Sequence, residues 1–182
     1  MTFAQPPKDP IQRALFRAPI WIYRLGLGTV LGDRFVLVTH RGRSTGEARQ
    51  AVLEVVGGND TTGTVMVASG FGNRSQWFRN IRMEPRILFQ VGNRRQRGTA
   101  ELLPPEESGR VLAHYAQQHP EVAATMLRGL GHDVGDSVAE YERLGADPVD
   151  GIPVVRLVPD SEEARFPDFS APLETDVPRP RG

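Results

Sequence analysis

Cysteine is absent from this 182-residue chain. Without thiols there is no disulfide framework, no thiolate nucleophile and no Cys-ligated zinc or iron–sulfur centre. Lysine is nearly absent as well: of 22 basic residues only Lys8 is not an arginine. No run of 18 apolar residues occurs, which argues against a transmembrane helix. The opening MTFAQPPKDP lacks the basic-then-apolar order of a secretory signal, so a cytoplasmic protein is expected. Four histidines, His40, His114, His119 and His132, make no HExxH pair, and neither a GxSxG elbow nor a Walker-type phosphate loop is present. Zincin, serine-hydrolase and P-loop chemistry are thereby excluded, and no metal centre is expected.

What is present is arginine, unevenly placed. The net charge is zero, yet residues 1–33 carry +2, residues 34–97 carry +7 and residues 98–182 carry −9. The planar five-donor guanidinium suits phosphate and carboxylate, so an anionic ligand is expected at the middle block; the alternative is a set of solvated surface arginines. Nucleic acid is not the expected partner, because the basic block lacks interleaved stacking aromatics and the remainder is acidic.

Hydrophobic periodicity divides the chain into three parts. Residues 1–33 read as a Pro-rich arm followed by an amphipathic helical stretch, 10–32, broken at Pro19. That stretch is expected to pack across the domain or against a second copy in a homodimer, with a membrane interface on the inner face as the other option. Residues 34–159 hold the folded domain, and 160–182 a Pro-rich tail. Within the domain, strands are expected at 34–40, 50–56, 64–69, 86–91, 94–103 and 152–158, with a turn at Gly57, Gly58, Asn59 and Asp60. Helices are expected at 75–84, with Ser75 as N-cap and Trp77, Phe78 and Ile81 on one face, and at 105–118, 120–130 and 136–144. Strands with a short helix after the third suggest a mainly β protein with helices, a small closed or half-closed barrel.

Chemistry concentrates between the first two strands, in Thr39-His40-Arg41-Gly42-Arg43-Ser44-Thr45-Gly46-Glu47-Ala48-Arg49. Two glycines permit left-handed turns, Ser44 and Thr45 add hydroxyls, and successive backbone N–H groups in such a turn make an anion nest. Arg41, Arg43 and Arg49 are placed to converge on it.

This stretch resembles the T-T-x-G-R segment, followed by a basic residue, Ser or Thr, and Gly, of the deazaflavin (F-420)-dependent nitroreductase family, oxidoreductases on a flavin-reductase/PNP-oxidase-like split β-barrel. Val67-Ala68-Ser69, then Trp77-Phe78-Arg79-Asn80-Ile81 and Glu84-Pro85, are similar to a second block of that family, and Ile152-Pro153-Val154-Val155 to a third. The resemblance spans residues 35–158 and departs at Ser44 and Gly70, where the pattern carries Lys, and at His119–Ala124, where it carries a tyrosine-rich segment.

The resemblance implies hydride transfer from reduced coenzyme F-420 to an electron-poor small molecule such as a quinone, enone or nitro compound. It implies that Arg43, Ser44, Thr45, Gly46 and Arg49, with Arg41 beside them, hold the cofactor phosphate and its polyglutamate tail. Ala68 and Ser69 would approach the ring, and Trp77 and Asn80 would line the groove, although Trp77 also fits a plain core role. Ser69 is the candidate catalytic residue, and His114, Tyr115 or His119 would give a proton if their helix closes over the ring. The open alternatives are FMN or haem on the same barrel, and a fatty-acid-binding module at the membrane. Changing Arg43 or Arg49 to alanine is expected to weaken binding of the anionic cofactor by about 1–3 kcal/mol each, read by equilibrium titration.

Overall fold

Alternating apolar residues from Phe35 onward give the chain its strands, and in this structure, a computed structural model, residues 32–132 and 137–160 are described. The strands are β1 (Phe35–Arg41), β2 (Ala48–Asn59), β3 (Thr64–Ala68), β4 (Arg86–Val91), β5 (Arg94–Leu102) and β6 (Val154–Pro159). All neighbours are antiparallel, and the order β1-β2-β3-β6-β5-β4 closes on itself through β1 and β4. The helices are α1 (Gln76–Met83), α2 (Pro105–Gln118), α3 (Pro120–Gly129) and α4 (Val138–Ala146). The expected amphipathic stretch up to residue 31 and the tail after residue 160 lie outside the described residues.

Register decides which side chains fill the barrel. Val36 pairs with Leu53 and Val38 with Ala51, so the even positions of β1 and the odd positions of β2 share one face. Val36 and Val38 lie in one buried cluster with Val67, Ile87, Phe89, Val155 and Leu157, against which Ala51 and Leu53 pack. The buried face of α1, Trp77, Phe78 and Ile81, joins the same cluster. A second cluster, built around Leu112, Tyr115, Leu127, Tyr141 and Ile152, packs α2, α3 and α4 on the outside of the barrel. Pro105 opens α2 with Glu106 and Glu107 in its first turn, a start that suits a helix N-terminus. One residue later Ser108 accepts the Val154 N–H at 3.2 Å and ties α2 to β6.

Several expected boundaries move for identifiable reasons. Gly57, Gly58 and Asn59 are not a turn: β2 runs through them, with a bulge between Val55 and Gly57, and the reversal falls at 60–63. There Asn59 Oδ1 accepts the N–H groups of Thr61 and Thr62, while Gly63 takes φ +69°, so the side chain of Asn59 builds the turn that follows it. Strand β3 stops at Ala68, and the Ser69 N–H instead reaches the Pro153 carbonyl at 2.9 Å. Ser75 stands at the N-cap of α1 but makes no side-chain cap bond. The last helix begins at Val138, two residues later than expected.

The short length of β3 has a larger effect. On either side of the bulge, Val55, Gly57, Gly58 and Asn59 pair with β3, whereas residues 48–54 pair with β1 alone and face no strand on their other side among the described residues. The barrel closes and yet leaves one long edge of β2 open.

On the far side, α2 and α4 cross at two glycines. A Cβ on Gly109 would stand 2.5 Å from the Glu142 carbonyl oxygen, and one on Gly145 would stand 2.7 Å from that of Ser108. Both obstacles are backbone, so neither helix can yield without separating. Gly145→Ala is therefore expected to destabilise the domain by about 1–3 kcal/mol despite alanine's better helix propensity, read by urea unfolding; an unchanged or raised midpoint would show that the crossing is not tight.

Candidate active site

The open edge of β2 forms one wall of a groove of about 940 Å³. Arg49, Val52, Leu53 and Glu54 line that wall; Ala68, Gly70, Phe71 and Trp77 line the opposite one, with Met126 and Leu130 above. The mixture is that of a ligand site, mainly apolar with a few placed polar groups, and the volume lies in the range usual for small-molecule pockets.

At the mouth lies the 42–47 loop. Gly42 donates to the Glu47 carbonyl at 2.8 Å and Gly46 donates to that of Gly42 at 2.7 Å, with Gly46 at φ +68°, a conformation favouring glycine. The Arg43 and Glu47 N–H groups bond to Asn80 Oδ1 and Thr45 Oγ1. The N–H groups of Ser44 and Thr45, at the exposed tip, have no protein partner among the described residues.

The three arginines in and beside the loop do not converge on one point. Arg41 is buried, and its Nη1 donates to the Gly46 carbonyl at 3.3 Å, bracing the loop from within. Arg43 lies along α1, donating to Asn80 Oδ1 at 2.9 Å and to Gln76 Oε1, one turn away, at 3.0 Å. Arg49 alone of the three lines the groove, where it meets Glu47 at 3.2 Å in an exposed pair. Such a pair contributes little to stability, so an incoming anion displaces Glu47 at small cost.

Ser69 is fully buried behind the groove wall. Its hydroxyl lies 3.0 Å from the Gly72 carbonyl, to which it donates, and 2.9 Å from Ser75 Oγ, so it organises the 69–75 segment, while Ala68 and Ser75 line the groove. Trp77 belongs to the core, edge-on to Phe78 at 5.9 Å, and its exposed margin lines the groove. Asn80, buried in the last turns of α1, lines it too.

The proposed proton donors on α2 lie elsewhere. His114 is exposed beside Gln118, and the His119 ring tilts against Tyr115 at 5.2 Å. Tyr115 donates to Glu54 Oε1 at 2.8 Å, and burial first, then the Glu54 carboxylate, push its hydroxyl well above the ordinary range. None of the three lines the groove, whereas Glu54, held also by Arg34 at 3.1 Å, does.

A residue that sequence reasoning passed over sits at the centre. His40 continues the interior face of Val36 and Val38, opposite Arg49 in the register, and is buried at 3% exposure while lining the groove. Its Nδ1 stands 3.2 Å from Asn80 Nδ2. The signal was an even-numbered polar residue on an otherwise apolar strand face, next to the glycine-rich loop. Burial lowers its pKa to about 4; the charge of Arg49 adds to this and the Arg41 carbonyl opposes it.

The closed antiparallel barrel with its apolar-walled, arginine-rimmed groove is a split β-barrel of the flavin-reductase/PNP-oxidase-like type. Residues 16–128 match the family described as F420H2-dependent quinone reductase. The chain belongs to that family: it is an oxidoreductase whose cofactor is coenzyme F-420, with a small-molecule acceptor. Among curated proteins nothing matches the chain. Among solved structures it is similar to a protein described as an F420-H2 dependent reductase, at 21% identity over 69% of this chain and 95% of that one, with TM-score 0.44. It is also similar to one described as a domain-swapped dimer (22%, 82% and 99%, TM-score 0.49), and to an FMN-binding protein of Nostoc punctiforme related to pyridoxamine 5'-phosphate oxidase (17%, 87% and 83%, TM-score 0.45). At these scores the structures add nothing to the assignment, which rests on the family match and the barrel itself. Among the described residues no helix is long and apolar enough to cross a membrane.

The environment of His40 makes stability depend on pH. A histidine whose folded-state pKa falls from 6.5 to about 4 is kept neutral by the fold, so its contribution is complete above pH 6.5 and is lost as pH falls from there toward 4. The loss should reach the order of 3 kcal/mol. Urea unfolding at pH 7 and at pH 4.5 should therefore show a larger drop for the native chain than for His40→Gln; equal drops would mean that His40 is already solvated in the folded state.

Proposed function

We propose that F-420 lies in the groove along the open edge of β2, and that the acceptor reduced is a quinone. The observation that carries this reading is the groove's division into an apolar slot and a polar mouth. Val52, Leu53, Ala68, Phe71 and Trp77 offer walls for a planar ring, while Arg49 and the tip of the 42–47 loop offer charge and backbone N–H groups to a phosphate and carboxylates. When bound, the cofactor supplies the hydride; the protein supplies position and electrostatics. Arg49 and the N–H groups of Ser44 and Thr45 bind the anionic chain. Gly46 permits the turn that presents them, Arg41 braces it, and Arg43 fixes the loop to α1 through Asn80. Ala68 and Trp77 bound the ring, and Ser69 holds the 69–75 segment that walls it in. Electron-poor acceptors stack into the remaining apolar space under Met126 and Leu130, excluding water from the transfer.

The finer reading, an enzyme that pairs with a second copy through residues 10–32, is supported by the amphipathic pattern of those residues. Sedimentation of the chain with and without them tests the pairing; an unchanged mass removes it.

Titration of the purified protein with F-420 and, in parallel, with FMN, followed by quenching of Trp77 emission, tests the site. F-420 is expected to bind, more weakly as salt rises, with FMN far behind, and Arg49→Ala is expected to weaken F-420 roughly tenfold. Saturation by FMN alone would move the protein to flavin chemistry, and binding of neither would refute the groove as a cofactor site.

A further inference from the structure

We infer that His40 is a binding residue for the cofactor: its ring presents Nε2–H beside Arg49 as a hydrogen-bond donor to an oxygen of the anionic chain of F-420. This deepens the proposed function and rests on it.

The tautomer follows from the partners. Asn80 Oδ1 faces two groups of Arg43 that have only protons to give, its backbone N–H at 3.2 Å and Nη1 at 2.9 Å. The amide oxygen must therefore lie on that side, and the NH₂ on the other, toward His40. Asn80 Nδ2, 3.2 Å from His40 Nδ1, is itself only a donor, so Nδ1 accepts and carries no proton. The Arg41 carbonyl is the more distant neighbour of Nδ1, at 3.5 Å, and receives no proton from it. The ring proton is left on Nε2.

Among the described residues Nε2 has no protein partner. His40 is almost wholly enclosed, yet among the described residues the only buried side-chain nitrogen or oxygen without a hydrogen bond is Gln96 Nε2. The unpartnered Nε2 of His40 is therefore reached from outside, and the space His40 lines is the groove. There it is paired across the strands with Arg49. Burial and the facing guanidinium both disfavour a second proton on the ring, so the pair offers one cation and one neutral donor, which suits an oxygen of a phosphate or carboxylate. Arg43 is a positioning residue here, acting on His40 through Asn80.

The test compares two ligands on three proteins: F-420, and the same deazaflavin lacking its phosphate and glutamate chain, each titrated against the native chain, His40→Leu and His40→Gln. His40→Leu is expected to bind F-420 several-fold to tenfold more weakly and the truncated deazaflavin unchanged. His40→Gln, whose amide nitrogen comes near the position of Nε2, should recover most of the loss. Equal weakening for both ligands would make His40 merely structural and overturn the inference, as would unchanged F-420 binding in His40→Leu. If the native chain binds F-420 nowhere in the groove, the proposed function itself fails, and this inference with it. Should His40→Leu not fold, the native ring decides: in 15N spectra Nε2 should carry the proton and its signal should move on adding F-420 and stay in place on adding the truncated ligand. A proton on Nδ1, or an Nε2 signal unmoved by F-420, would overturn the inference.

Discussion

The early end of β3 is the constraint on which the site depends: its pairing with β2 crosses the bulge between Val55 and Gly57 and stops at Val55. An antiparallel barrel closes by pairing every strand on both edges, and a fully paired barrel of six short strands leaves no cleft for a ligand in its wall. Here β2 is 12 residues long and serves two partners in succession, β1 along residues 48–54 and β3 only from Val55. Pairing with β3 reaches Val55–Val67 and goes no further because β3 ends at Ala68, after which the Ser69 N–H donates to the Pro153 carbonyl. Closure is preserved because the other edge of β3 pairs with β6, and the unpaired edge of β2 becomes the wall of the groove. Core and site are thus two uses of one strand.

Polar structure around the groove follows a second logic, in which buried donors and acceptors must be matched. The amide of Asn80, buried on α1, is satisfied on one side by Arg43 and on the other by His40, so a single side chain joins loop, helix and strand. Ser69 and Ser75 do the equivalent work for the opposite wall. Residues that read as ligand contacts in the sequence are in part the scaffold that sets the contacts: Arg41 and Arg43 shape the loop, and Arg49 is left to face the groove. Enzymes commonly place a rigid supporting layer behind the groups that touch the ligand, because a displacement of about an ångström is costly to catalysis.

Much of this was legible in the sequence, and particular residues show why. The strand at 64–68 and the helix at 105–118 follow from local pattern, since alternation and a proline-opened amphipathic stripe are properties of neighbours in the chain. The glycine-rich loop was legible as a turn between the first two strands for the same reason. Gly57, Gly58 and Asn59 were misleading: turn residues by composition, they are held in a strand by pairing with Met66, Val65 and Thr64. Tyr115 looked free to give a proton to a ligand, but the fold sets Glu54 under its hydroxyl at 2.8 Å.

The sequence by itself determined the class of fold, the position of the basic loop and the family to which the chain belongs, because each is written in local periodicity or in short contiguous motifs. Tertiary structure alone decided which arginine faces the groove, that Ser69 is enclosed, and that His40 meets both Asn80, forty residues away, and Arg49 across the sheet. The physical reason is that burial, hydrogen-bond partnership and charge environment are properties of pairs brought together by strand register and helix packing. No reading of one segment at a time contains them.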